Sequence, residues 1–292
     1  MINWPKTLIH EIVRRRCIFF LGAGVAASSK NATGHRPKEW KAFLTQASSL
    51  VTPPANKAIV TELIAQNKLL LALQAIASEA DPADYQNLLN ENFNDATFEP
   101  SDLHQVIFDL DLRLVITTNF DKIYEKLCLR ASTEGFKVIP YYSTSFGDEL
   151  RSDTRLIIKA HGSIDELQKM IFTKSQYHAA KENHGAFYSI LKGLLLTNTC
   201  IFIGCGLDDP DVLLLLEDVK ITASPNRPHY ALLLEGSHNH YAKHDLLSCY
   251  NVKALEYGPS HADLVSTSIF CWERSMHSGR SRDRSNENLT RQ

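Results

Sequence analysis

No two of the six cysteines stand in a C-x-x-C pair, no apolar run reaches the roughly 18 to 20 residues of a membrane-spanning helix, and the formal net charge is only -2. Each absence removes a class of reading. Cys17, Cys128, Cys200, Cys205, Cys249 and Cys271 offer no disulfide framework, and three of them lie inside apolar runs, which fits a reduced, cytoplasmic protein. His238, His240 and His244 come nearest to metal-ligand spacing, but "EGSHNHYAKHD" has the composition of a solvated loop and helix start, so no metal is expected. The longest apolar stretch, "LLLTNTCIFIG", is interrupted by Thr197, Asn198 and Thr199, and no membrane association is expected. A near-balanced charge gives no field to gather nucleic acid, and Arg14 to Arg16 with the basic tail are only local charges. No G-x-x-x-x-G-K-[ST] loop is present, so the chain is not itself a P-loop ATPase.

What is present is ordinary globular material: 292 residues, 44% hydrophobic and 22% charged, enough for a sizeable core. The three arginines followed by "CIFFLGAG" imitate a secretion signal. However, "WPKTLIHEIVRR" carries Leu8, Ile9, Ile12 and Val13 at helical spacing, so the segment reads as an amphipathic helix feeding a buried strand, and the chain as untargeted. Continuous apolar runs recur as "CIFFL", "RLVITT", "FKVIPYY", "RLIIKAHG", "KMIFT", "CIFIGCG", "HYALLL" and "NVKALEY". Strands without alternation are covered on both faces, which predicts an α/β, Rossmann-like, mostly parallel sheet between helix layers. From about residue 38 to 110 the text is helical, in "EWKAFLTQASSLV", "NKAIVTELIAQNKLLLALQAIASEA", "ADYQNLLNENF" and "DLHQVIFDL", and reads as an insertion forming a small lobe within one domain over 1–275. Residues 276–292, polar and rich in Arg and Ser, are expected to be disordered.

Three segments carry chemistry. In "LGAGVAA", Gly22, Gly24 and Ala27 fit G-x-G-x-x-A after a strand, a pattern that serves either a phosphate-binding turn or a purely structural one. The acidic residue about 20 positions on, usual in dehydrogenases, is missing from "PKEWKAFLTQ". In "RLVITTNFDKIYEKL" a strand ends at Asn119, Phe120 and Asp121, where a ligand of an open α/β sheet sits, although either polar residue also suits a helix cap. In "RLIIKAHGSID" a strand delivers His161 to the same rim, as a packed imidazole or as a catalytic one. A fourth strand end, "IFIGCGLDDPDV", adds Gly204, Cys205 and Gly206, with Asp208 or Asp209 as a helix cap. Cys205 between two glycines suits close backbone approach better than nucleophilic attack.

The ordered set "GAGVAASS", "TTNFD", "KAHGSID", "IFIGCGLDDPD" and "VKALEYGPSH" resembles the sirtuin superfamily, and most of all the bacterial sirtuin-like domains of anti-phage defence systems. The resemblance implies an NAD site in which Gly22, Ala23 and Gly24 hold the phosphates. Asn119 and Asp121 would face the nicotinamide ribose and carboxamide, and His161 would be the catalytic base. Gly204, Cys205 and Gly206 would line the ribose side, with Glu256 and Tyr257 near the adenine. Acyl-lysine-removing sirtuins usually carry a four-cysteine zinc module after the His-Gly pair, whereas residues 163–199 contain no cysteine, and Thr118 stands where they have Gln. These departures favour the branch that hydrolyses NAD to nicotinamide and ADP-ribose; an NAD-dependent protein deacylase and a non-catalytic NAD or ADP-ribose sensor are the alternatives. By the same analogy the chain would form a homo-oligomer or work with a HerA-type ATPase.

Overall fold

A computed structural model describes residues 2–38, 40–132, 135–207, 210–223 and 227–266. The expected tail over 276–292, Cys271, Asp208 and Asp209 lie outside the described residues. Seven strands form one sheet: β1 (Cys17–Leu21), β2 (Leu114–Thr117), β3 (Phe136–Pro140), β4 (Arg155–Lys159), β5 (Thr199–Ile203), β6 (His229–Leu233) and β7 (Val252–Glu256). Their order is β3-β4-β2-β1-β5-β6-β7 and every pairing is parallel, so this is a Rossmann-like α/β fold.

The apolar runs are continuous because alternate side chains enter two different cores. From β1, Ile18 and Phe20 join one face, while Cys17, Phe19 and Leu21 join the other. The second face is covered by α1 (Lys6–Val13) through Leu8, Ile9 and Ile12, and by α7 (Asp102–Asp109) and α8 (Ile123–Ala131) through Leu103, Ile107, Tyr124 and Cys128. The first face is covered by α9 (Phe146–Arg151), α10 (Lys174–Asn183), α11 (Gly185–Thr197), α12 (Pro210–Ala223) and α13 (His240–Tyr250).

After β1 comes a four-residue helix, α2 (Ala23–Ala26), and then α3 (Trp40–Ala47), α4 (Pro54–Ala65), α5 (Leu69–Glu79) and α6 (Pro82–Phe93) before α7. The long apolar-helical stretch of residues 56–80 is two helices rather than one, because Asn67 adopts φ 59 and ends α4 in the left-handed region. Helices α3 to α6 build a third core around Phe43, Leu44, Leu73 and Ile76, and this core also takes in Phe120, Ile164, Met170 and Phe172. It therefore packs on the segments that follow β2 and β4.

One expected strand is absent. "KMIFT" is an extended connection whose Met170 and Phe172 point into the third core while Ile171 joins the sheet's first face. It buries apolar side chains on both sides as a strand does. Its backbone N–H groups go to separate partners rather than to a ladder: Met170 to the Leu167 carbonyl (3.2 Å), Ile171 to the His161 carbonyl (2.9 Å), and Phe172 and Thr173 to the Gln176 side chain (2.8 and 2.9 Å).

Candidate active site at the carboxyl rim of the sheet

The chain leaves β1 toward β2 on one side, and β5 lies on its other side, so the strand order switches at β1 and β5. Crevices outside such switch points are where ligands of open α/β sheets bind. Four loops of interest begin there. Leu21 is paired with both Thr117 and Ile203, and Thr117 with Lys159, so Gly22, Thr118, Ala160 and Gly204 follow four strand ends in register. Asn119 and His161 each lie two residues past the paired Thr117 and Lys159.

The glycines are explained by the closeness of two loops. A Cβ on Gly22 would lie 2.5 Å from the Gly204 carbonyl oxygen, and one on Gly204, at φ 66, would lie 2.5 Å from the Val25 nitrogen. The Gly22 and Gly24 N–H groups donate to the carbonyls of Ile203 and Gly204, both at 2.9 Å. Two of the three amides expected at phosphates thus bind β1 to the loop after β5, while Ala23 and Gly24 remain exposed at the rim. The α2 helix is too short to contribute much of a dipole. Cys205 Sγ lies 3.5 Å from the Phe20 carbonyl oxygen and 3.6 Å from that of Ile203, in the role of close backbone packing. Gly206 is exposed beside it.

The Asn119 segment is pinned by named bonds. Thr117 Oγ1 donates to the Leu21 carbonyl (2.9 Å) and accepts from Asn119 N–H (3.0 Å). The Asn119 amide donates to the Gly22 carbonyl (3.0 Å), which joins the second loop to the first. Asp121 Oδ1 accepts from Ile123 N–H (2.9 Å), a local turn just ahead of α8, whose N-cap is Lys122. Phe120, between them, points into the aromatic cluster, 4.2 Å from Phe172 between ring centroids. Below the segment is a small cavity lined by Asn119, Asp121, Glu125 and Lys159 with His104 and Tyr124. Burial lowers the His104 imidazole to about 4 and raises the Tyr124 hydroxyl, so neither exchanges a proton near neutrality.

His161 is almost buried, 8% exposed, with its ring edge-to-face against Tyr177 at 5.1 Å. The tyrosine hydroxyl lies 3.5 Å from Nδ1 and 3.4 Å from Nε2, the outer limit of hydrogen bonding. Gly162 turns the chain at φ 86, where a Cβ would lie 2.5 Å from the Lys169 carbonyl oxygen. The bonds from Ala160 N–H to the Thr117 carbonyl (2.9 Å) and from Ile164 N–H to the Phe120 carbonyl (3.1 Å) tie the histidine loop to the asparagine loop.

Two expected residues stand apart. Glu256 ends β7, two strands beyond β5 and roughly 10 Å from it by sheet spacing. There its carboxylate accepts from Gly236 N–H (3.1 Å) and pairs with Lys243 (3.0 Å), bonds that hold its pKa below the usual carboxylate range. Tyr257 is buried with its hydroxyl 2.8 Å from His261 Nδ1. Residues that sequence reading passed over are Arg36, which donates to the carbonyls of Ala27 (2.9 Å) and Ser28 (3.1 Å), and Lys159, 1% exposed beneath the Asn119 segment. A lysine at the end of the apolar run "RLIIKAHG" was the available signal for the second. Among the described residues, no group of three or more His, Cys, Asp or Glu is placed to hold a metal ion, and no helix is long and apolar enough to cross a membrane.

Residues 113–255, from just before β2 into β7, match the family described as SIR2-like domain. Just under half of the chain is thus similar to SIR2-like domains. Among its relatives is an NAD(+) hydrolase ThsA of Enterococcus faecium, 30% identical over 148 residues that make up 50% of this chain and 30% of that protein. A ThsA of Cytobacillus dafuensis is 23% identical over 246 residues, 82% of this chain and 46% of its own length. Defense-associated sirtuin 2 of Bacillus subtilis is 23% identical over 227 residues, 75% of this chain and 21% of its own. The chain thus spans less than half the length of these relatives. The SIR2-like match begins after the helical segment, so β1 and its glycine turn enter the domain through sheet pairing.

Proposed function

We propose that the SIR2-like domain hydrolyses NAD at the nicotinamide–ribose bond, giving nicotinamide and ADP-ribose, and that it acts in the cytoplasm as an NAD-depleting effector of anti-phage defence. The observation that carries this reading is the register Thr117–Lys159, which starts the Asn119 and His161 loops from adjacent paired residues. The names of the relatives point the same way. The leaving group is a cationic pyridinium that departs neutral, so no acid has to protonate it. What the protein supplies is orientation of the dinucleotide, stabilisation of an oxocarbenium-like ribose and a base for water or a ribose hydroxyl. In this proposal Asn119 positions the ribose hydroxyls and the water, and His161 accepts the proton. The exposed turn at Ala23 and Gly24 with Gly204 to Gly206 borders the phosphates and ribose, Asp121 shapes the nicotinamide side, and Glu256 with Tyr257 lies toward the adenine. The α3–α6 helices are the small lobe over that rim.

Unrestrained NAD hydrolysis would poison the cell, so restraint through self-association or a HerA-type ATPase partner belongs to the same proposal. The test is chromatography of NAD incubated with the purified protein, with and without an acyl-lysine peptide and with and without the partner. Nicotinamide and ADP-ribose in equal amounts without peptide are expected. His161→Ala and Asn119→Ala should each lower the rate by roughly 10² to 10⁴-fold, the usual worth of a positioned general base. Wild-type rates in both variants, or release only with peptide, refute the assignment.

A further inference from the structure

We propose that Lys159 is a positioning residue for Asn119: its buried ammonium holds the Phe120–Asp121 backbone from below and so fixes where the Asn119 amide stands. This rests on the reading of Asn119 as a group that orients the ribose. Lys159 ends β4, two residues before His161, and is 1% exposed. A lysine is rarely buried so fully without compensating partners. Here Nζ lies 2.5 Å from the Asp121 carbonyl oxygen, 3.3 Å from that of Phe120 and 2.8 Å from Glu125 Oε1. All three partners belong to residues 120–125, so the contacts of the head group go to one short segment.

That segment is held from two sides. Before Asn119, the Thr117 hydroxyl bonds to the Leu21 carbonyl and to Asn119 N–H. After it, the Phe120 ring is fixed in the aromatic cluster and the Phe120 and Asp121 carbonyls turn inward to Lys159. An ammonium supplies several donors in a small volume, which a hydrocarbon of the same length cannot. Lys159 is the β4 residue paired with Thr117, and therefore links the loop bearing Asn119 to the strand bearing His161. Displacement of a positioned group by about an ångström costs on the order of 10²-fold in rate. Because Lys159 lies under the loop rather than at the exposed rim, its loss falls on kcat more than on KM.

The experiment compares Lys159→Met, Glu125→Gln and the double variant by NAD turnover in whatever state the wild type turns NAD over, with hydrogen exchange of the 117–125 segment measured alongside. Expected are a fall in kcat of roughly 10²-fold for Lys159→Met with KM within about threefold, near-wild-type kcat for Glu125→Gln, and no recovery in the double variant. Exchange over 117–125 should rise in both variants that lack the lysine, with β5 unchanged. Recovery of kcat in the double variant would trace the loss to an uncompensated Glu125 carboxylate and overturn the proposal. So would wild-type kcat in folded Lys159→Met. If the wild type releases no nicotinamide under any condition, the hydrolase reading fails by itself. Exchange then decides the anchor, and unchanged exchange of 117–125 in Lys159→Met overturns that too.

Discussion

Acidification from pH 7 to pH 5 should destabilise this protein through two histidines far from solvent. His104 and His229 are 2% and 3% exposed, and burial lowers each to about 4 from an ordinary value of 6.5. The folded state keeps both neutral while the unfolded chain takes up protons, so each contributes stability that is complete above about pH 7 and falls as pH drops from there toward 4. Integrating the linkage relation over pH 7 to 5 gives a loss of about 2 kcal/mol per histidine and about 4 kcal/mol for the pair, against a typical total of 5 to 15 kcal/mol. The carboxylates with lowered values, Glu99, Glu166 and Glu256, act at lower pH, below their ordinary 4.5. Neutral replacements isolate the effect. His104→Gln retains an acceptor at the third helical position, where His104 Nδ1 now pairs with Ser101, and His229→Asn retains an acceptor for Cys200 N–H. Urea denaturation at pH 7 and pH 5 should show the double variant losing about 4 kcal/mol less than the wild type across the interval. Equal losses in both proteins would refute the reasoning. Because Ser28 Oγ lies 2.6 Å from Ser101 Oγ, protonation of His104 should also loosen the chain that follows the glycine turn first.

Three further outcomes are expected. Gly204→Ala, which forces a side chain into φ 66 and against Val25, should cost at least about 2 kcal/mol of stability by denaturant titration, and a change below about 0.5 kcal/mol would show that the two loops are not in contact. Under the proposed hydrolase function, Cys205→Ser should retain most NAD turnover, since the thiol packs against carbonyls; abolished turnover in a folded variant would restore the nucleophile reading. Phe172→Ala removes the ring stacked on Trp40 at 5.5 Å and packed, tilted, on Phe120 at 4.2 Å and should cost about 3 to 5 kcal/mol, read by the same titration, whereas a near-neutral result would mean that the helices pack on the rim by other contacts.

Seven of the eight apolar runs read as strands are strands because parallel strands buried on both faces need unbroken hydrophobic sequence, and that pattern is written locally. "KMIFT" carries the same pattern for another reason: it is clamped between the third core and the sheet, and no local signal separates the two cases. Asn119, His161 and the glycines were legible at the rim because strand ends can be counted from the sequence. Their hydrogen bonds were not. Whether Gly22 and Gly24 offer their N–H groups to a ligand or to β5 depends on how closely the loop at Gly204 approaches. That approach is a property of the β1–β5 pairing, between residues some 180 positions apart.

By itself, then, the sequence determined the kind of sheet, the rim at which polar residues gather and the absence of a cysteine cluster after His161. Only the tertiary structure decided that Asp121 bonds to the Ile123 N–H, that Glu256 pairs with Lys243, and that the lysine in "IIKAHG" lies buried beneath the asparagine loop. Periodicity records which side chains leave water. The partner of a buried ammonium or amide is set by strands and loops that meet from distant parts of the chain, and that meeting exists only in the folded protein.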